Sequence, residues 1–398
     1  MAGGPRAAEA EPTAAASAST ARRDLLRAGL VGAGMLAAWP LLGLACKRRT
    51  LIDTGPLLPA DDNGLRLLPG YRSRVVARSG QMVAGYLWHG APDGGATFAT
   101  EDGGWIYVSN SELDDGEGGV SALRFDREGN VVSARRILGG TTHNCAGGAS
   151  PWGTWLSCEE RTEGLVWECD PTGARQARPR PALGAFKHEA VAVDMKRAQI
   201  YLTEDEPNGR LYRFTTQPVS DQLDLDTGRL EVARVDAGRV RWLPIDDPRG
   251  RSAPTREQQP TSEAFNGGEG IIVMDDVVHF VTKGDNRVWS YDIDSSMLRL
   301  TYDAKRVSDP MLTGVDNVCR SPRGEILVAE DAGDMQLVAL SLDGSPRPLL
   351  QVEGHDGSEV TGPAFDPSGK RLYFSSQRGA SGRSEDGVTY EVTGPFLG

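Results

Sequence analysis

Five short segments of this 398-residue sequence each set one ligand-type side chain among small or polar neighbours. They are Asn144-Cys145-Ala146-Gly147-Gly148, Lys187-His188-Glu189-Ala190, Gly267-Gly268-Glu269-Gly270, Val315-Asp316-Asn317-Val318 and Glu359-Val360-Thr361-Gly362-Pro363. Carboxylates with loose geometry are the ligands of Ca²⁺. A thiolate among carboxylates favours a transition metal instead, with iron (Fe³⁺) the plausible choice. Taken singly, Glu189, Glu269, Asp316 and Glu359 read as solvated turn residues and Cys145 as a small buried hydrophobe. Their recurrence at one offset, about nine to eleven residues before a β-rich run, is what turns them into a candidate metal site.

A second acidic layer follows those runs: Glu159-Glu160, Glu204-Asp205-Glu206, Asp285, and Glu330-Asp331 with Asp334. These are either further ligands or exposed turn acids; Glu160 and Glu204 are the better candidates for ligands, and the others lean toward turn acids. Lys187, His188 and Arg378 are the candidates for catalysis, because cations at a metal site hold and polarise an anionic substrate. Lys283 and Arg287 lie in similar surroundings.

The β-rich runs are Trp105–Ser109, Thr154–Cys158, Gln199–Thr203, Val277–Thr282, Glu325–Ala329 and Arg371–Ser375, each followed by a Gly-containing turn and a second run. They recur about every 46–49 residues, with one gap of about 79; a period in the forties with several short strands per unit marks a β-propeller. The expected fold is all-β, a six-bladed β-propeller over 65–398, with a loop insertion around 215–265. A decorated β-sandwich is the other architecture weighed. Innermost strands of a propeller start at one face, so Cys145, Glu189, Glu269, Asp316 and Glu359 should converge on one mouth of the channel. A strand from Arg72–Val76 or Gln81–Gly85 is expected to close the ring.

Residues 1–46 read as an address. Arg22-Arg23-Asp24-Leu25-Leu26 precedes an uncharged apolar run from Ala28 to Ala45, the pattern of a Tat export signal. A membrane span fits less well, since Gly29, Gly32, Gly34, Pro40 and Gly43 interrupt a run of marginal length. Leu42-Gly43-Leu44-Ala45-Cys46 allows either a lipid anchor at Cys46 or ordinary cleavage before it. Residues 47–64 then form a linker. The Tat export machinery is the expected partner, and the periplasm or exterior the expected destination. A formal charge of -12 excludes the basic stripe of a nucleic-acid binder. Five cysteines form no disulfide framework, though Cys158 and Cys169 flank one hairpin and could pair. A monomer is expected.

These segments resemble the PhoX alkaline phosphatase family. The specific carriers are Asn144-Cys145-Ala146-Gly147-Gly148 and Ser150-Pro151-Trp152-Gly153-Thr154-Trp155-Leu156-Ser157-Cys158-Glu159-Glu160. Phe186-Lys187-His188-Glu189-Ala190, Tyr201-Leu202-Thr203-Glu204-Asp205, Phe265-Asn266-Gly267-Gly268-Glu269-Gly270, Thr282-Lys283-Gly284-Asp285-Asn286 and Glu359-Val360-Thr361-Gly362-Pro363 continue it. The resemblance spans roughly residues 65–396. It implies a six-bladed propeller, Tat export, an iron and calcium cluster, and hydrolysis of a small phosphorylated substrate in the periplasm. By the family pattern Cys145 resembles the iron-ligating cysteine, Glu160 a carboxylate ligand, and Glu189 and Glu269 further ligands. The chain is short for the family, and Lys187-His188-Glu189 stands where longer members show an Arg-Pro-Glu type segment.

Two other functions fit the same residues. A Ca²⁺-dependent hydrolase such as a lactonase needs acidic and Asn ligands but no thiolate, so Cys145 speaks against it. A non-enzymatic metal-binding propeller is favoured if the mouth lacks basic residues.

Overall fold

The computed structural model describes residues 55–331 and 333–397. The leader 1–46 with Cys46, and the first part of the expected linker, lie outside the described residues. The described chain is all-β, its helical content limited to five 3₁₀ turns, and none of its helices is long and apolar enough to cross a membrane.

Its runs of apolar and small residues become strands covered on both faces. Trp105–Ser111, Trp155–Glu159 and Ile326–Glu330 are buried along their whole length. Such runs are hydrophobic without alternation because neither face meets water. The turns that reverse them repeat one device. The N–H of Gly153, Gly324 and Gly369 donates to the carbonyl three residues back, at Ser150, Ser321 and Asp366, over 2.9–3.1 Å. These glycines have φ of +83°, +85° and +69°, where a side chain is unfavourable.

The strands meander into antiparallel sheets in a propeller-like arrangement. One sheet runs Pro92–Ala99, Trp105–Ser111, Gly118–Phe125, Val131–Thr141. Another is Asn144–Ala149, Trp155–Glu159, Val166–Cys169, Arg178–Pro179. A third carries Val315–Arg320, Ile326–Glu330, Gln336–Leu340 and Pro346–Val352, with Leu65–Leu67 on its edge. The last stretch, Val360–Phe365, Arg371–Ser376 and Val388–Thr393, is completed by Arg72–Arg78 from the other end of the fold. Residues 188–303 form a nine-stranded sheet whose two ends are His188–Asp194 and Gly268–Met274.

The first strand of each meander faces the centre, and these inner strands follow one another in a closed ring from Pro92–Ala99 round to Val360–Phe365. They approach closely only because the facing residues are small. A Cβ on Gly148 would lie 1.9 Å from the Val191 carbonyl oxygen, and one on Gly94 2.5 Å from the Ala146 Cα.

Three expectations change. Residues 215–265 are not loop alone but carry two strands of the neighbouring sheet. Arg229–Asp236 pairs with Leu211–Thr215, and Arg239–Pro244 pairs with Arg229–Asp236, extending the sheet. The alternation of Leu230 and Val232, buried against polar neighbours, is a strand signal hidden by the polar turns around it. Of the two candidates for ring closure, Arg72–Val76 lies in the strand that completes the last sheet, and Gln81–Gly85 instead contributes to a small hairpin, Met82–Val83 with Tyr86–Leu87. Cys158 and Cys169 are both free. Register sets Cys158 opposite Val166 and Cys169 opposite Trp155. They are three rungs apart, about 10 Å at ~3.3 Å per residue, beyond disulfide reach.

The closeness of the inner strands is directly testable. Gly148→Ala is expected to lower unfolding stability by about 1–3 kcal/mol through overpacking against backbone that cannot yield. Chemical denaturation of the two proteins measures it, and an unchanged midpoint would contradict the packing described.

Candidate metal centre

Each inner strand carries an irregularity near its start. Pairing with the next strand shifts register between Pro92 and Gly95, His188 and Val191, Gly268 and Ile271, Val315 and Val318, and Thr361 and Ala364. Opposite Asn144–Gly147 the shift falls between Ser157 and Glu159 of the partner strand. Bulges re-aim the residue they contain. The residues at the shift are Asp93, Cys145, Glu189, Glu269 and Asp316, all buried. Thr361 is the sixth, its hydroxyl donating to the Pro92 carbonyl at 2.8 Å.

A second tier comes from the residue just past the second strand of each unit: Glu112, Glu160, Asp205, Lys283, Asp331 and Gln377. Together with Glu359, which immediately precedes the inner strand Val360–Phe365, residues of the two tiers form four overlapping groups: Asp93, Glu112 and Cys145; Cys145, Glu160 and Glu189; Glu189, Glu269 and Asp316; Asp316, Asp331 and Glu359. Within each group the potential ligand atoms lie within 4.8 Å of one another. That is about twice a metal–oxygen distance of ~2.3–2.6 Å, so each group can enclose an ion. Cys145, Glu189 and Asp316 each belong to two groups and could bridge neighbouring ions.

The donor set behaves as if something were owed to it. Both carboxylate oxygens of Glu189 are buried without a hydrogen-bond partner, which is costly for an ionised group. Burial first, then the neighbouring acids, push Asp93, Glu189 and Glu359 well above the carboxylate range; Glu269 is also raised, burial outweighing the opposing Lys283. Burial and the nearby acids Asp93 and Glu189 likewise raise the Cys145 thiol. Eight carboxyls and a thiol crowd one space with too few cations. Metal ions would resolve both the unpaired oxygens and the crowding.

Three cations stand at the rim, each about one third exposed. Lys187 Nζ lies 2.7 Å from Glu160 and 3.2 Å from Asp205. Lys283 Nζ lies 3.1 Å from Glu269 and 3.2 Å from Asp331. Arg378 Nη2 lies 2.7 Å from Glu359. His143 joins them between Glu112 and Asp114, and these hydrogen bonds, Glu112 first, raise it to about 9. Gln377 donates its amide to Asp93 and Glu112, spanning the ring where Glu359 and Asp93 do not meet.

Of the expected ligands, Cys145, Glu160, Glu189, Glu269, Asp316 and Glu359 come together in this ring. Glu204 does not. It is paired with His188 across the sheet and points into it, accepting from Tyr212 Oη at 2.9 Å and Arg256 Nη1 at 3.0 Å. Successive strand residues face opposite sides, so Asp205, one residue on, takes the ring-ward place. Lys187 and Arg378 reach the rim as expected. His188 does not: its ring packs on Phe186 at 3.6 Å between centroids, Nε2 donates to the Gly184 carbonyl, and burial lowers it to about 3. Arg287 lies against Trp289 and Asp285 rather than in the ring.

Sequence reasoning missed Asp93 and Glu112, and leaned to reading Asp331 as an exposed turn acid although it lies in the ring. Asp93 precedes Gly94-Gly95 as Cys145 precedes Ala146-Gly147, and Glu112 follows its strand as Glu160 does. That first inner strand was legible by the same offset.

A sequence model of the family described as alkaline phosphatase PhoX matches residues 116–165 and 161–277. No curated protein matches the chain in sequence. Pseudomonas fluorescens PhoX, solved in complex with vanadate, a transition state analogue, superimposes with a TM-score of 0.69 at 19% identity, over 85% of this chain and 97% of that one. A Bacteroides thetaiotaomicron protein of unknown function gives 0.52 at 10% identity, over 81% and 76%. A Xanthomonas campestris gluconolactonase gives 0.48 at 15%, over 86% and 98%. The family signature lies in residues 116–277, and the fold of Pseudomonas fluorescens PhoX is shared over most of the chain; in both respects this chain is similar to the PhoX alkaline phosphatases.

Proposed function

We propose that this chain is an exported phosphomonoester hydrolase whose channel mouth holds iron and calcium. The observation that carries the proposal is the ring itself: a thiol and eight carboxyls in four overlapping groups, with three cations along its rim. In this reading the nine-stranded sheet is two blades joined at Arg239–Pro244, giving six blades. Cys145, Glu160 and Glu189 hold iron, since the thiolate selects a softer ion, and the all-carboxylate groups hold calcium. Bound ions supply Lewis acidity to a phosphoryl oxygen.

The chain's own residues do the rest. Lys187, Lys283 and Arg378 present N–H donors outward from the ring, and an arriving phosphate monoester gains charge-assisted hydrogen bonds from them. Each is already fixed by a carboxylate, so little side-chain freedom is lost when substrate binds. The carboxylates in turn keep both lysines protonated: burial opposes the charge, but Glu160 and Asp205 hold Lys187 above the usual range, and Glu269 does so for Lys283. These rim cations favour a hydrolase over a non-enzymatic metal binder, and the thiol disfavours a lactonase. Pseudomonas fluorescens PhoX was solved in complex with vanadate, a transition state analogue, which agrees with this substrate class. Export through the Tat route to the periplasm, with or without lipid at Cys46, belongs to the same proposal.

Cys145→Ser tests the assignment. It removes the soft ligand at nearly constant size. Expected are loss of iron and of phosphomonoester hydrolysis, partial retention of calcium, and a thermal midpoint close to that of the wild type in its metal-free state. Elemental analysis and hydrolysis assays on both proteins measure this. Unchanged iron would refute the ligand role.

A second test uses pH. Burial, then Glu112, lifts Glu160 from an ordinary 4.5 to about 7. Burial, then Asp331, lifts Asp316 from 3.8 to about 6. Folded values above unfolded ones mean the folded metal-free protein binds more protons. Its stability therefore falls as pH rises through the window from about 4 to 7, and stays low above it. The chelator-treated protein is expected to lose thermal midpoint across that window, and the metal-loaded protein to keep it. A metal-free midpoint that rises with pH would contradict the crowding described.

A further inference from the structure

Asn110 is fully buried, yet every polar atom of its side chain is engaged, and all its partners lie in the next sheet. Its Nδ2 donates to the Cys145 carbonyl at 2.9 Å and to the Ala146 carbonyl at 2.7 Å. Its Oδ1 accepts from Trp155 Nε1 at 2.8 Å and Ser157 Oγ at 3.0 Å. Ser157 Oγ in turn accepts from Asn144 Nδ2 at 2.9 Å. In a regular strand, successive carbonyls point to opposite sides. One amide reaching two successive carbonyls therefore grips the backbone where alternation is broken, at the residue carrying the thiol.

The position is not braced this way throughout the ring. The residues equivalent to Asn110 in the other units are Cys158, Thr203, Val281, Ala329 and Ser375. Of these Thr203 does something similar, its hydroxyl donating to the Glu269 carbonyl at 2.6 Å. Among these six equivalent positions the bidentate amide falls only beside Cys145. A soft thiolate that belongs to two ligand groups needs its Cβ direction fixed more tightly than a carboxylate, which can rotate to follow an ion.

We propose that Asn110 is the positioning residue of the thiol: by holding the Cys145 and Ala146 carbonyls it fixes Sγ between its two ligand groups, and so sets iron affinity without touching iron. This rests on the proposed metal assignment. Partners one bond removed from a ligand commonly tune metal affinity by 10–100-fold.

The test compares wild type, Asn110→Leu and Ser157→Ala, purified from an export-competent host, for iron affinity by chelator competition, calcium content, the sulfur-to-iron charge-transfer band and thermal midpoint. Asn110→Leu keeps the branched shape and the number of heavy atoms and removes all four hydrogen bonds. It is expected to weaken iron about 10–100-fold and shift the band, with calcium retained. Ser157→Ala removes one of the two groups steadying the amide and should act in the same direction, more weakly. If Asn110→Leu is folded and binds iron within twofold of wild type, the inference fails. It fails too if Asn110→Leu does not fold and Ser157→Ala leaves affinity and band unchanged. Parallel loss of iron, calcium and midpoint with an unshifted band would mark Asn110 as merely structural. A wild type without iron would instead overturn the metal assignment itself, a different result from any variant's.

Discussion

Like charges forced into one small space are the constraint from which the rest of this molecule follows. The ligand atoms of each group lie within 4.8 Å, and two ionised carboxylates at that separation repel by about 3–4 kcal/mol at an effective dielectric near 20. A chain that brought eight of them together with no cation would have to keep several protonated, as the raised values of Asp93, Glu189, Glu269 and Glu359 express. Lys187, Lys283 and Arg378 answer part of the charge, but Glu189 keeps both oxygens unpaired. Multivalent ions would answer the remainder, and would convert a liability of the empty ring into the binding energy of the site.

The fold supplies the geometry that makes such crowding attainable. Inner strands stand close because Gly94, Gly148 and Gly270 leave no Cβ to collide with the neighbouring backbone. The register shifts near their starts turn one residue per strand toward the centre, and the residue past each second strand adds another tier. The large aromatic side chains, such as Tyr107, Tyr201, Phe280 and Tyr373, are buried between sheets, where they hold those strand ends in place. Function is thus concentrated at one end of a scaffold whose remaining length is packing.

Much of this was legible in the sequence because the architecture repeats. The period of the strand runs and the offset of the Gly-bearing segments before them gave the inner strands of five units and six of the ring's ligands. The sixth inner strand, Pro92–Ala99, escaped because it precedes the first recognised run, and Asp93 and Glu112 went with it. Glu204 and Asp205 show a different limit. Two adjacent acids at a strand end are indistinguishable by composition, and only the pairing of His188 with Glu204 settles which faces the channel. His188 likewise sits between two ring-side residues, Lys187 and Glu189, yet alternation turns it into the core. The strands within 215–265 were obscured because turns rich in Asp, Gly and Pro interrupt a short alternating pattern. What no sequence pattern conveys is Asn110, whose importance lies entirely in contacts with another sheet.

The central claim is that cations occupy this ring with the thiol as a ligand, and anomalous X-ray scattering tests it most directly. Data collected above and below the iron absorption edge, on crystals of protein purified from an export-competent host, locate iron without assumption about ligands. The expected result is an iron peak within bonding distance of Cys145 Sγ, flanked by Glu160 and Glu189, with further density of calcium character toward Asp316 and Glu359. A ring free of anomalous density, with the Cys145 thiol donating to the Asp93 carboxylate as it does over 3.7 Å in this structure, would contradict it.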